Sequence, residues 1–172
     1  MRLRHAALLL LWCLASGGVA SADTPPDIVP YTILFGEGAP EIPARLTAAP
    51  GDPELGRAVY WDPGRGGCAV CHGEPGGRPG PSGGLGEVAA RRSAGALRLW
   101  IVAPQASRPG TALPAYFAAG QRQDPQDPLY GGPRLTAAEI EGLVAYLLGV
   151  SAAAGAAAPE PGDATGPSAP NP

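Results

Sequence analysis

Lysine is absent from the 172-residue chain, methionine occurs once, histidine twice and cysteine three times. Aromatic residues are sparse at 6%. Each scarcity excludes something. With no lysine, no side-chain amine is available as a metal ligand. The basic residues are all arginines, twelve of them against fifteen acids, and no basic cluster exceeds Arg91-Arg92. A solvated surface pair of that size gives no basis for nucleic-acid binding. The longest apolar run, Ala6 to Leu14, is too short to span a bilayer comfortably.

What is present is concentrated in Cys68-Ala69-Val70-Cys71-His72, a C-x-x-C-H sequence. This is the attachment signature of a c-type haem. Two thiols three positions apart can each add to one vinyl group of the same porphyrin. The histidine directly after the second thiol is then held beside the iron as its proximal ligand. Zinc fits less well, because structural zinc usually takes four Cys/His ligands and only Cys68, Cys71 and His72 remain after loss of the leader. A thioredoxin-type C-x-x-C should lie near a strand–helix–strand pattern, and none surrounds it. A plain disulfide or a chance match is the remaining alternative.

The first 22 residues read as a secretory signal peptide. Arg2 and Arg4 precede the apolar run, and Ala20-Ser21-Ala22 is an A-x-A cleavage site before Asp23. A transmembrane anchor is the competing reading. Cys13 lies too early to be a lipidated N-terminal cysteine. Cleavage after Ala22 predicts a periplasmic protein without a membrane anchor. It removes two arginines and no acids, leaving ten basic residues against fifteen acids and a net charge of −5. The oxidising periplasm would tend to pair free thiols, and capture by haem prevents that.

Residues 23–50 are proline-rich with little periodicity and read as an extended N-terminal arm. A cytochrome domain is expected over 51–150. Asp52-Pro53 should start a helix, with aspartate capping the first turn and proline at its first position. Leu55 and Val59 share one face, Gly56 and Tyr60 a neighbouring one, and Asp62-Pro63-Gly64 should end it. Residues 73–86 read as loop, with a backbone carbonyl available to accept the second N–H of His72. Ser93 caps a further helix in which Leu97, Trp100 and Ile101 form the apolar stripe, stopped by Pro104. Trp100 is expected in the core, with packing against the porphyrin a second and compatible role. Residues 104–134 look irregular. Thr136-Ala137-Ala138-Glu139 is a capping box, followed by Ile140, Leu143, Val144 and Leu147 at helical spacing. Gly142 within that stripe implies close contact with Gly56 or Tyr60. Residues 151–172 read as a disordered Ala/Gly/Pro-rich tail.

With the helices so placed, the chain resembles a class I cytochrome c: all-α, a few helices around a covalently attached haem, with long loops. Over about residues 43–148 it is similar to SoxX, the monohaem subunits of the SoxAX sulfur-oxidation complex. The matching stretches are Pro50-Gly51-Asp52-Pro53 with Gly56-Arg57, the C-x-x-C-H, Leu97-Arg98 with Ile101-Val102 and Pro104, Pro114-Ala115-Tyr116, and Leu135-Thr136-Ala137 with Glu139, Glu141 and Val144-Ala145-Tyr146-Leu147. The resemblance implies one covalent haem c per chain on Cys68 and Cys71, with His72 as proximal ligand. It implies a SoxA-like partner carrying one or two haems, and a downstream electron acceptor. That complex joins thiosulfate to a cysteine of a carrier protein, using a cysteine of the A subunit. No catalytic residue is therefore expected here, and the chain would not be an enzyme alone. An independent monohaem carrier and a haem-based ligand-binding module are the alternatives.

Two positions depart from the family. The second axial methionine is replaced by Leu113, close enough in size for the fold to survive. The haem would then be five-coordinate, or take water or a weak oxygen donor. Tyr116 is a candidate donor, although a wall residue is its simpler role. The new N-terminal amine and a partner side chain are further donors. The family also places a Gly-Pro shortly before a Leu, whose proline carbonyl would orient the proximal histidine. Here Gly80-Pro81 lies two residues farther from Leu85, which would make Pro81 the orienting residue.

Overall fold

The computed structural model describes residues 28–157. The leader, the cleavage site and the tail beyond Ala157 lie outside the described residues. Six helices follow in order: α1 (Pro53–Trp61), α2 (Cys68–His72), α3 (Gly86–Ala90), α4 (Ala94–Val102), α5 (Pro104–Ser107) and α6 (Ala137–Ala157). Among the described residues there is no strand, only isolated bridges at Leu34–Glu41 and Gly73–Pro79. The fold is all-α, as the periodicities indicate.

The longest helix, α6, is the element on which α1, α3 and α4 pack. Its start is the expected capping box. Thr136 N–H donates to Glu139 Oε2 at 2.7 Å, and Glu139 N–H to Thr136 Oγ1 at 3.3 Å. Ile140, Leu143, Val144 and Leu147 are all buried. Full burial stabilises each such side chain by roughly 1.5–3 kcal/mol. The helix continues through Ala157 rather than ending near 150. Within that extension Ser151 is buried, its Oγ 2.7 Å from Gly86 O and 2.9 Å from Leu147 O.

α1 begins as its sequence dictates, with Asp52 Oδ1 accepting from Glu54 N–H at 2.9 Å. It buries Gly56, Val59 and Tyr60. A Cβ on Gly56 would collide with the Gly142 carbonyl, so the two helices cross backbone to backbone. A side chain at either glycine would hold them apart.

α4 is capped by Ser93, whose Oγ accepts from Ala96 N–H at 3.0 Å and donates to Glu41 Oε2 at 2.6 Å. Its buried face differs from the expected stripe. Leu97, Leu99 and Val102 are buried, whereas Trp100 is only half-buried and lies outside the core cluster. The guanidinium carbons of Arg92 and Arg108 lie 4.7 and 5.8 Å from its ring centroid, which accounts for its surface position.

The unexpected core residue of α4 is Arg98, 2% exposed. Its Nε donates to Glu141 Oε1 at 2.6 Å and its Nη2 to Oε2 at 2.9 Å. Nη1 donates to Ile42 O at 2.6 Å, and Leu46 N–H donates to Glu141 Oε1 at 2.8 Å. The N-terminal arm is thereby fastened to α4 and α6, and Ile42 and Leu46 become core residues. Farther up the arm Ile28, Val29 and Ile33 pack on the core, while Leu34 and Phe35 are exposed.

Candidate haem-attachment site

Tight turns fix the attachment sequence as a single helical turn. Gly67 enters it at φ 61° and Gly73 leaves it at φ 67°, both in the left-handed region that favours glycine. On a helix, positions three apart are neighbours, which brings Cys68 and Cys71 to one side. Both thiols are free of disulfide bonds. Cys71 is exposed and Cys68 half-buried. Burial pushes the Cys68 thiol up to about 11.

The segment after the motif folds back under it. Gly80 N–H donates to His72 O at 3.0 Å, and Ser82 N–H to Cys71 O at 2.8 Å. These bonds carry Gly83 to the imidazole, where its carbonyl oxygen lies 3.0 Å from His72 Nδ1. A carbonyl only accepts, so Nδ1 carries the proton of this contact, and in the neutral ring the lone pair is on Nε2. The orienting carbonyl is therefore that of Gly83, not of Pro81. The displacement has a physical reason: Gly83 adopts φ 83°, which glycine supplies without a Cβ penalty.

Two phenols bracket the turn. Tyr60, buried on α1, donates its hydroxyl to Gly73 O at 2.8 Å. Tyr116 donates its hydroxyl to Gly66 O at 3.0 Å. Burial raises both phenols above their ordinary value, so both stay protonated at neutral pH. The Arg134 guanidinium carbon lies 5.6 Å from the Tyr116 ring centroid, and its Nε donates to Arg65 O at 2.6 Å. Tyr116 is thus a wall and anchoring residue.

Leu113 is half-buried in the segment leading to Tyr116. Its carbonyl accepts from Gln105 Nε2 at 2.9 Å, and its N–H donates to Thr111 Oγ1 at 3.2 Å. Gln105 belongs to α5, a short helix in a stretch that reads as irregular. Neither its role nor that of Gly83 carries a sequence pattern. Position 83 is one of several glycines in a low-complexity loop.

Among the described residues, no group of three or more His, Cys, Asp and Glu side chains is placed to hold a metal ion. Two unpaired thiols on one turn, and an imidazole with a free Nε2, fit the donor set of a c-type haem. The sequence profile of the cytochrome c family matches residues 53–151, from the start of α1 into α6.

The chain belongs to the cytochrome c family.

A cytochrome c carries covalently bound haem, and its function is electron transfer; the iron supplies a one-electron couple when the group is bound. The chain is also similar to a chain of the crystal structure of SoxXA from P. pantotrophus. The two are 28% identical with a TM-score of 0.55, and the match covers 69% of this chain and 94% of that one. This cytochrome is therefore SoxX-like in fold and sequence. A comparison with curated proteins found no match. Among the described residues, no helix is long and apolar enough to cross a membrane.

Proposed function

We propose that this cytochrome c is the electron-transfer subunit of a SoxXA-type, thiosulfate-oxidising complex. The observation that carries the reading is the match to nearly the whole of a SoxXA chain. Cys68 and Cys71 form the two thioether links to a single haem, and His72 Nε2 is the proximal iron ligand. The Gly83 carbonyl fixes the imidazole ring and, by accepting the Nδ1 proton, increases its donor strength toward a metal. A SoxA-type subunit supplies the catalytic cysteine, and this chain takes electrons from it and passes them to a downstream acceptor. The leader exports the protein to the periplasm, with cleavage after Ala22.

Expression of the full chain with haem-maturation machinery tests the cofactor half of the proposal. The mass should rise by one haem, with Soret absorbance surviving denaturation, and Cys68→Ala/Cys71→Ala should lose both. Co-expression with a SoxA-type subunit tests the rest. The two chains should co-purify, and thiosulfate with the carrier protein should reduce the haem only when the partner is present. A haem-loaded chain that never associates with such a partner would refute the assignment to the complex.

A further inference from the structure

An iron held by His72 on one face is usually completed on the other by a thioether, an amine or an imidazole. Residues 28–157 contain no methionine and no lysine, and His72 is their sole histidine. Residues 158–172 add no such side chain, and Met1 and His5 fall in the segment read as a cleaved leader; the α-amine that cleavage creates at Asp23 would give a low-spin haem, which the test below reads out. The phenols flanking the motif are committed elsewhere. Tyr60 and Tyr116 donate their protons to the carbonyls of Gly73 and Gly66, at 2.8 and 3.0 Å. A phenol donating that proton is not the phenolate that ligates iron. In the segment tied to the motif by the Tyr116–Gly66 bond, Leu113 offers only an aliphatic side chain, and both its backbone polar groups are already paired.

From this donor inventory we infer that the second axial position of the haem is open to a small exogenous ligand. Water takes it in the ferric protein, and a neutral diatomic in the ferrous protein. The cytochrome is thus a ligand-binding centre as well as a redox centre. The inference rests on the haem site proposed above, and the two fail differently. Absence of covalent haem removes both, whereas a coordinately saturated covalent haem removes only this one.

The test uses the exported, haem-loaded full chain, EPR of its ferric form, and carbon monoxide added to its reduced form. A high-spin ferric signal and one CO bound per haem are expected. Leu113→Met should turn the ferric signal low-spin and abolish CO binding. Tyr116→Phe should leave the spin state and CO binding of the parent unchanged. If Leu113→Met fails to mature, the parent and Tyr116→Phe spectra still decide. A low-spin ferric haem in the parent, a phenolate charge-transfer band, or a reduced haem that does not take up CO would each overturn the inference.

Discussion

Gly56 of α1 and Gly142 of α6 meet so closely that a Cβ on the first would collide with the carbonyl of the second. What would have to yield is backbone, not a flexible side chain. Gly56→Ala should therefore cost about 3 kcal/mol or more, at the upper end of overpacking effects. Gly142→Ala places its Cβ 2.8 Å from Asp52 O and 2.9 Å from Gly56 N, a less severe approach. Alanine's helix preference, about 1 kcal/mol, offsets part of that strain. Urea unfolding of the two variants should rank Gly56→Ala as clearly the more damaging. Equal, small losses would show that the crossing is looser than described.

Replacing Arg98 with methionine should be among the most destabilising substitutions in the core. It strands a Glu141 carboxylate that is only 3% exposed and frees the Ile42 carbonyl. Breaking a buried pair from one side costs about 3–5 kcal/mol. Arg98→Met/Glu141→Leu should recover much of this. It would still lose about 1–2 kcal/mol, because Leu46 N–H would lack its acceptor. A double-mutant cycle in urea measures the coupling.

Gly83→Ala tests the imidazole's hydrogen bond. A φ of 83° strains any side chain there, by about 1–2 kcal/mol, and should shift the carbonyl away from His72 Nδ1. A weaker acceptor makes the imidazole a poorer electron donor, so the reduction potential should rise. Gly84→Ala is the control, since its Cβ would make only ordinary contact with Pro79. Potentiometric titration that finds the potential unmoved by Gly83→Ala would separate the hydrogen bond from the potential.

The loop before α6 should respond to acid through Asp127. Hydrogen bonds from Leu129 N–H and from Arg122 hold this carboxyl below its ordinary value of 3.8. Its contribution to stability is present above that ordinary value and is lost as the pH falls through the lowered one. Melting temperature followed from about pH 5 down to pH 2 should fall less steeply in Asp127→Asn than in the parent. Identical slopes would show that the contact leaves no mark on acid stability.

The chain's readable features were those set by local chemistry. The Asp52 and Ser93 caps, the Thr136–Glu139 box and the apolar spacing of Ile140 to Leu147 are short-range, and each appears where its residues indicate. A glycine in a helical stripe calls for a reason, which points Gly142 at Gly56 or Tyr60; the structure settles on Gly56. On the α4 stripe Leu97 is in the core and Ile101 packs against it, and Trp100 alone departs from the expected face. Trp100 satisfies helical spacing, but two arginines solvate its ring at the surface, and no periodicity encodes that. Arg98 and Glu141 could not be paired by inspection, since a charge at a core position reads as polar until its partner from another helix is known. The Gly83 carbonyl was hidden for a similar reason, a backbone atom in a loop having no side chain to announce it.

Ser151 sits in the turns by which α6 outruns the expected domain, and its hydroxyl reaches Gly86 O, three residues beyond Gly83. The carboxy-terminal turns thus buttress the same ribbon that steers the imidazole. Shortening the polypeptide at residue 150 would spare every thiol and ring nitrogen of the motif, yet remove that prop. The setting of the His72 ring would then depend on a residue nearly eighty positions downstream of it.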